Sequence, residues 1–161
     1  MRWVSILVLS LLTTACTADP APPTGEIRDC GSSVYGEMSP DWRAKATVVG
    51  PVAFVTWFSA DPAWLDSISP RPDGRRFIKV LAVVDGGKQV TISLPDSEPS
   101  NVALAYTDHD APSVTFIGCE RETQFNGGFM ITGPQCVPVQ VHFDGKTERI
   151  VLSFGAGKCA T

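Results

Sequence analysis

From about residue 45 onward, apolar and polar residues alternate with period two, and turn-forming residues interrupt the pattern roughly every 8–12 positions. That period sends successive side chains to opposite faces of a strand, so each segment has one apolar face to bury. Val90, Ile92 and Leu94 alternate with Thr91 and Ser93. Val102, Leu104 and Tyr106 make a second set, and Val114 and Phe116 a third. Val137, Val139, Val141 and Phe143 point one way while Pro138, Gln140 and His142 point the other, and Ile150, Leu152 and Phe154 alternate on the last segment. Pro138 has no backbone donor, which places it at a sheet edge or a bulge.

Other segments are less regular. Lys45–Val49 and Val52–Phe58 are separated by Gly50-Pro51. Phe77–Val84 is nearly continuous apolar, the pattern of a strand buried on both faces. Asp85-Gly86-Gly87-Lys88 then suits a tight hairpin, and Asp144-Gly145-Lys146 suits another. No long segment has helical period. The best helix candidate is Asp61–Ile68, with Asp61 as cap and Pro62 in the first turn.

Seven to nine short strands at this spacing predict an all-β fold, an antiparallel sandwich or a small barrel. One-sided apolar strands favour the sandwich, because two sheets bury such faces together. The immunoglobulin Cys…Trp…Cys arrangement is absent, so "Ig-like" describes architecture only. Hydrophobic residues make up 43% of the 161 and charged residues 19%, too apolar for a disordered chain. With 13 basic against 17 acidic side chains there is no basic stripe, which excludes nucleic acid as a partner.

The N-terminus sets the compartment. Arg2 precedes an apolar run, Trp3–Leu12, which has the length of a secretory signal and is too short to span a bilayer. Thr13-Thr14-Ala15-Cys16 follows, and a small residue just before cysteine resembles the lipobox of bacterial lipoproteins. The resemblance implies a lipid on the Cys16 thiol and cleavage before it. An ordinary signal peptide cut near Ala15 or Ala18, giving a secreted protein, is the alternative. The expected organisation is a signal peptide over 1–15, a lipid-anchored tether over 16–28 rich in proline, and one β domain over 29–161.

Of the five cysteines, setting Cys16 aside leaves Cys30, Cys119, Cys136 and Cys159, an even set suited to disulfides in an exported protein. Three connectivities exist. The pairing expected here joins Cys119 to Cys136 across one loop and Cys30 to Cys159 across the ends of the domain. No Cys-x-x-Cys occurs, which removes thioredoxin-like redox chemistry and the usual zinc knuckle.

Several stretches together resemble a group of uncharacterised exported lipoproteins of actinomycetes. They are Cys30-Gly31, Trp42 with Ala46–Pro51, Phe77–Val84, Thr123-Gln-Phe-Asn-Gly-Gly-Phe-Met-Ile-Thr-Gly-Pro-Gln-Cys-Val-Pro138, and the ending Leu152-Ser-Phe-Gly-Ala-Gly-Lys-Cys159. The resemblance spans about residues 28–159. It implies anchoring to the outer face of the cytoplasmic membrane of a Gram-positive bacterium and says nothing of activity.

Signals for chemistry are few. Asp108-His109-Asp110 puts two carboxylates around an imidazole, a set that binds metal or orients a base in some proteins, but here reads as a polar turn before Ala111-Pro112. Asp144 could join it as a calcium ligand, although the spacing fits no calcium loop. His142, the only other histidine, points outward, and no metal or other cofactor is expected. No Gly-x-Ser-x-Gly elbow or Ser-x-x-Lys set appears. Gly155-Ala-Gly-Lys158 lacks the following Ser/Thr and helix of a phosphate loop.

Two loops are candidates for binding. Ser59–Arg76 carries Trp64 with Arg71, Arg75 and Arg76, residue types enriched in binding hot spots. The bland reading packs Trp64 over the end of the sandwich and leaves the arginines in solvent. Glu120–Phe129 offers Gln124 and Asn126 as hydrogen-bonding groups, flanked by Phe125 and Phe129. Its bland reading makes Asn126-Gly127-Gly128 a turn and the phenylalanines core. The sequence therefore favours a membrane-tethered module that binds a wall polymer, a small solute or a protein partner. The alternative is an extracytoplasmic hydrolase acting on a cell-envelope substrate.

Overall fold

A computed structural model describes residues 25–56, 61–95 and 101–160. The signal sequence, Cys16 and the first part of the tether lie outside the described residues. Among the described residues the fold is an antiparallel β-sandwich of twelve strands, with one short α-helix and two disulfides. One layer is a five-stranded sheet. Its strands are β1 (Glu26–Arg28), β6 (Gln89–Ser93), β8 (Ser113–Ile117), β11 (Gln135–Phe143) and β12 (Lys146–Phe154), in the order β1-β8-β6-β11-β12. Only the β1–β8 pairing in it is parallel.

The other layer is one bent surface made of two sheets. Strands β2 (Thr47–Val49), β3 (Val52–Val55), β5 (Leu81–Val84) and β9 (Thr123–Phe125) form the first, and β4 (Arg76–Lys79), β10 (Gly128–Ile131) and β7 (Val102–Leu104) the second. The pairings β4–β10 and β5–β9 share a register. Lys79 faces Gly128, and three residues further along one strand and back along the other, Ala82 faces Phe125. Between them the Val80 N–H donates to the Gly127 carbonyl at 2.9 Å. Residues 76–84 and 123–131 are thus a single antiparallel ribbon folded at its middle, the way a strand turns the corner between sheets. Gly128 makes the fold tight enough: a Cβ there would lie 2.9 Å from the Ile78 carbonyl carbon.

This bend explains three departures from the sequence reading. The seven to nine strands expected become twelve among the described residues, because Phe77–Val84 divides at Val80 and because β1, β9 and β10 carry no alternation of their own. Asn126-Gly127 is the corner of the ribbon and not a reversing turn. Asp85–Lys88 does turn, with Lys88 N–H donating to Asp85 O and Gly87 at a φ of 68°. It makes no hairpin, however, because both edges of β5 are taken by β3 and β9. The chain crosses instead to the opposite layer, where β6 pairs with β8 and β11. Asp144-Gly145 does close a hairpin, between β11 and β12, with both residues at positive φ as a two-residue turn requires.

The core lies between the layers. A chain of aromatic rings crosses it: Phe125 on β9 meets Phe116 on β8 at 5.0 Å, and Phe116 meets Tyr106 edge-on at 5.1 Å. Tyr106 then contacts Phe129 on β10, which lies 5.2 Å from Phe154 on β12. All five rings are buried. Helix α1 (Pro62–Asp66) closes one end. The Asp61 carboxylate accepts from Ala63 N–H as its cap, Leu65 is fully buried, and Trp64 and Ile68 pack against the core. Pro138 stands outside the segment of β11, Gln140–His142, that pairs with β6.

The disulfides join Cys30 to Cys119 and Cys136 to Cys159, which corrects the expected pairing. Strand pairing decides both. Arg28 on β1 lies beside Phe116 on parallel β8, so two or three residues further on Cys30 and Cys119 come together, with Cα atoms 5.5 Å apart. The β11–β12 hairpin sets Cys136 opposite Ser153, and the turn after Phe154 brings Cys159 back to it, 5.7 Å between Cα atoms. Two disulfides in one small domain fit an oxidising, extracytoplasmic environment. Among the described residues no helix is long and apolar enough to cross a membrane.

Candidate functional site

The Cys30–Cys119 bridge forms one end of an open cleft of about 760 Å³. One wall is the segment after Cys30, which takes no regular structure between Ser33 and Asp41 apart from a single bridge of Val34 to Gln124 on β9. The other wall is Glu120–Gln124. Val34 N–H donates to the Gln124 carbonyl at 2.8 Å, and the Gln124 side-chain amide donates to Gly36 O at 2.8 Å, so Gln124 ties the two walls together. Tyr35 stands in solvent, 93% exposed, at the rim.

Trp42 lines the cleft from a 3-10 turn, Trp42–Lys45. Its neighbour Arg43 holds it there. The Arg43 guanidinium lies 4.8 Å from the Trp42 ring centroid, an attractive cation–π contact. The same group donates to Glu122 at 2.7 Å and to Asp85 at 2.6 Å. These carboxylates, Glu122 first, hold the guanidinium above its ordinary pKa. Each ion pair is half exposed and worth about 0.2–1 kcal/mol by itself. Their structural value is to join the 3-10 turn to the β5–β6 crossing and to the loop before β9, three pieces of chain far apart in sequence. Beyond Trp42 lies a second groove of similar size, lined by Lys45, Thr47, Val55, Thr56, Lys79 and Leu81, with Trp42 as the wall common to both.

The residues nominated from sequence are distributed as follows. Gln124 lines the cleft, Phe125 lies in the core at 0% exposure, and Asn126 is exposed at the ribbon corner. Trp64 packs on the core from α1. The three arginines are engaged by their own loop and by elements packed beside it. Arg71 lies over Phe77, Arg75 pairs with Asp73 at 2.7 Å and Asp110 at 2.5 Å, and Arg76 donates to the carbonyls of Ile68 and Thr132. Arg75 in turn holds the Asp73 carboxyl below its usual range, through its backbone N–H first.

The Asp108–Asp110 turn does not converge on one point: His109 pairs with Glu26 while Asp110 pairs with Arg75. Asp144 pairs with Lys88. No group of three metal-ligating side chains is found among the described residues. His142 lies on the outer face of the five-stranded sheet, bonded through Nε2 to Ser93 Oγ and through Nδ1 to Thr147 Oγ1, both at 2.9 Å. Ser93 with His142 has the distance of a nucleophile–base pair, but Ser93 is 2% exposed and Thr147, not a carboxylate, holds the far nitrogen. Together with the Thr91–Thr115 hydroxyl pair at 2.8 Å, these contacts are cross-strand links of the sheet.

Tyr35 and Trp42 line the cleft and Arg43 braces Trp42, and pattern reading passes over them because they precede the first alternating strand. The available signal is a long stretch without alternation, from Cys30 to Ala46, containing two aromatic residues and bounded by a cysteine.

The chain matches no family model, no curated protein and no solved structure.

Proposed function

We propose that this protein is an exported lipoprotein, anchored through Cys16 to the outer face of the cytoplasmic membrane, whose β-sandwich presents the Tyr35–Trp42–Gln124 cleft to a ligand of the cell envelope. The observation that carries the binding role is Trp42: a tryptophan fixed by an arginine and two carboxylates, at the wall of a 760 Å³ cleft, instead of packed in the core. Aromatic side chains with a few placed polar groups are the usual lining of ligand sites. The cleft offers an exposed tyrosine and, among the described residues, two carboxylates without ion-pair partners, Glu37 and Glu120.

Thermal-shift screening of the soluble domain against wall-derived glycan and peptide fragments tests this reading. A fragment that raises Tm in the parent and not in Trp42→Ala supports it. Stabilisation that survives Trp42→Ala, or a screen in which no fragment raises Tm, contradicts it. The anchor is tested separately by Cys16→Ser and cell fractionation, where release of the variant from the membrane is expected and its unchanged retention would overturn the lipid assignment.

A further inference from the structure

The two grooves that meet at Trp42 differ in charge. On the cleft side, Glu37 and Glu120 have no ion-pair partner among the described residues, Glu122 is held by Arg43, and Arg121 is the one unpaired cation. On the far side, Lys79 has no ion-pair partner among the described residues, and Lys45 is bonded to Asp41 at 2.7 Å. The cleft side therefore keeps a net negative charge, two unpaired carboxylates against Arg121, and the far side an unpaired ammonium, with one indole between them. Thr47 adds a hydroxyl on the lysine side, where Thr56 Oγ1 donates to Lys79 O and keeps its acceptor capacity, and Gln124, whose amide N–H is given to Gly36 O, adds its Oε1 acceptor on the other.

Resting on the binding role proposed above, we infer that the ligand is a short peptide with a free C-terminus, lying over the Trp42 edge with a cationic side chain in the cleft and its carboxylate at Lys79. Charge complementarity selects this occupant. A neutral sugar would leave these charges unused. A polyanion would meet Glu37 and Glu120, and a polycation would meet Lys79. An extended backbone also suits a groove beside a sheet: its N–H groups can donate to the side-chain oxygens of Thr47, Thr56 and Gln124 on the two sides of Trp42.

Calorimetric titration of the soluble domain with N-acetyl-Lys-(Ala)n peptides, n running from one to four, tests the inference. Each alanine moves the carboxylate about 3.3 Å further from the lysine, so affinity should pass through an optimum in n. At that n the free acid should bind about threefold tighter than the C-terminal amide, the scale of one exposed ion pair, and the difference should shrink as salt is raised. Lys79→Ala should abolish the preference for acid over amide. Glu120→Gln combined with Glu37→Gln should abolish the preference for lysine over norleucine.

Equal binding of acid and amide, or an acid preference that survives Lys79→Ala, overturns the assignment. If neutral glycans bind in a Trp42-dependent way and none of the peptides does, the peptide assignment fails while the binding role stands. If neither class binds, both fail.

Discussion

Removal of the two disulfides one at a time gives a quantitative test of the topology. The loops they close differ, 89 residues for Cys30–Cys119 and 23 for Cys136–Cys159. The chain-entropy relation converts these into about 4.6 and about 3.4 kcal/mol of stabilisation through the unfolded state. Cys30→Ser with Cys119→Ser should therefore cost about 1 kcal/mol more than Cys136→Ser with Cys159→Ser. Against a typical stability of about 5–15 kcal/mol, either loss is large, and at roughly 2–4 °C per kcal/mol the Tm should fall by about 7–18 °C. Equilibrium urea unfolding of the two double variants and the parent measures the order. The extrapolated ΔG must be read together with the m-value, since a freed crosslink also expands the unfolded chain. Non-reducing peptide mapping of the parent supplies the connectivity directly. A Cys119–Cys136 peptide, or a larger loss from the Cys136–Cys159 pair, would refute the parallel β1–β8 pairing from which the argument starts.

Other consequences follow from single side chains. Tyr106 is buried in the aromatic chain with its hydroxyl unpartnered among the described residues, and burial pushes its pKa far up. Tyr106→Phe removes that buried polar atom and should stabilise the domain by about 1 kcal/mol in urea unfolding. Gly128→Ala forces a Cβ against the Ile78 carbonyl at the ribbon corner and should destabilise by about 2 kcal/mol or more by the same assay, or prevent folding. Desolvation holds the His142 pKa below its ordinary 6.5. Its stabilising contribution is thus full above about pH 6.5 and is lost as pH falls through the lower folded-state value. Thermal melts from pH 7.5 to 4.5 should show a slope that His142→Gln reduces. Arg43→Ala should leave Tm within a few degrees but increase Trp42 solvent quenching by acrylamide, because the clamp positions the ring more than it stabilises the fold.

Much of the fold is legible in the sequence because a half-buried strand writes its environment into its alternation. Val137, Val139 and Val141 read as one buried face, and all three are. Asp61-Pro62 reads as a helix start and caps α1. What escapes is pairing. Phe77–Val84 reads as one strand because the bend at Val80 costs no apolar residue, and the corner is written only in Gly127-Gly128 on the partner strand. The disulfide partners escape for the same reason: loop entropy sees separation along the chain, whereas the pairing of β1 with β8 brings Cys30 to Cys119.

The cleft is legible only in part. Gln124 stands out as a hydrogen-bonding amide flanked by phenylalanines, and the structure puts it on the cleft wall. Its companions Tyr35 and Trp42 lie in chain without periodicity, where position is set by a disulfide, one β-bridge and the Arg43 clamp. Arginines 71, 75 and 76 look equally available on paper. Their partners Phe77, Asp73, Asp110 and the Ile68 carbonyl come from neighbouring turns and a separate loop, which pattern alone does not reveal.

The most direct test of the account is an amide chemical-shift map of the isotope-labelled soluble domain during titration with solubilised wall fragments. Perturbations are expected to concentrate at residues 33–38, at Trp42 including its indole N–H, and at residues 120–124. Perturbations centred instead on α1 and the Arg71–Arg76 loop, or on the Ser93–His142 face of the five-stranded sheet, would contradict it.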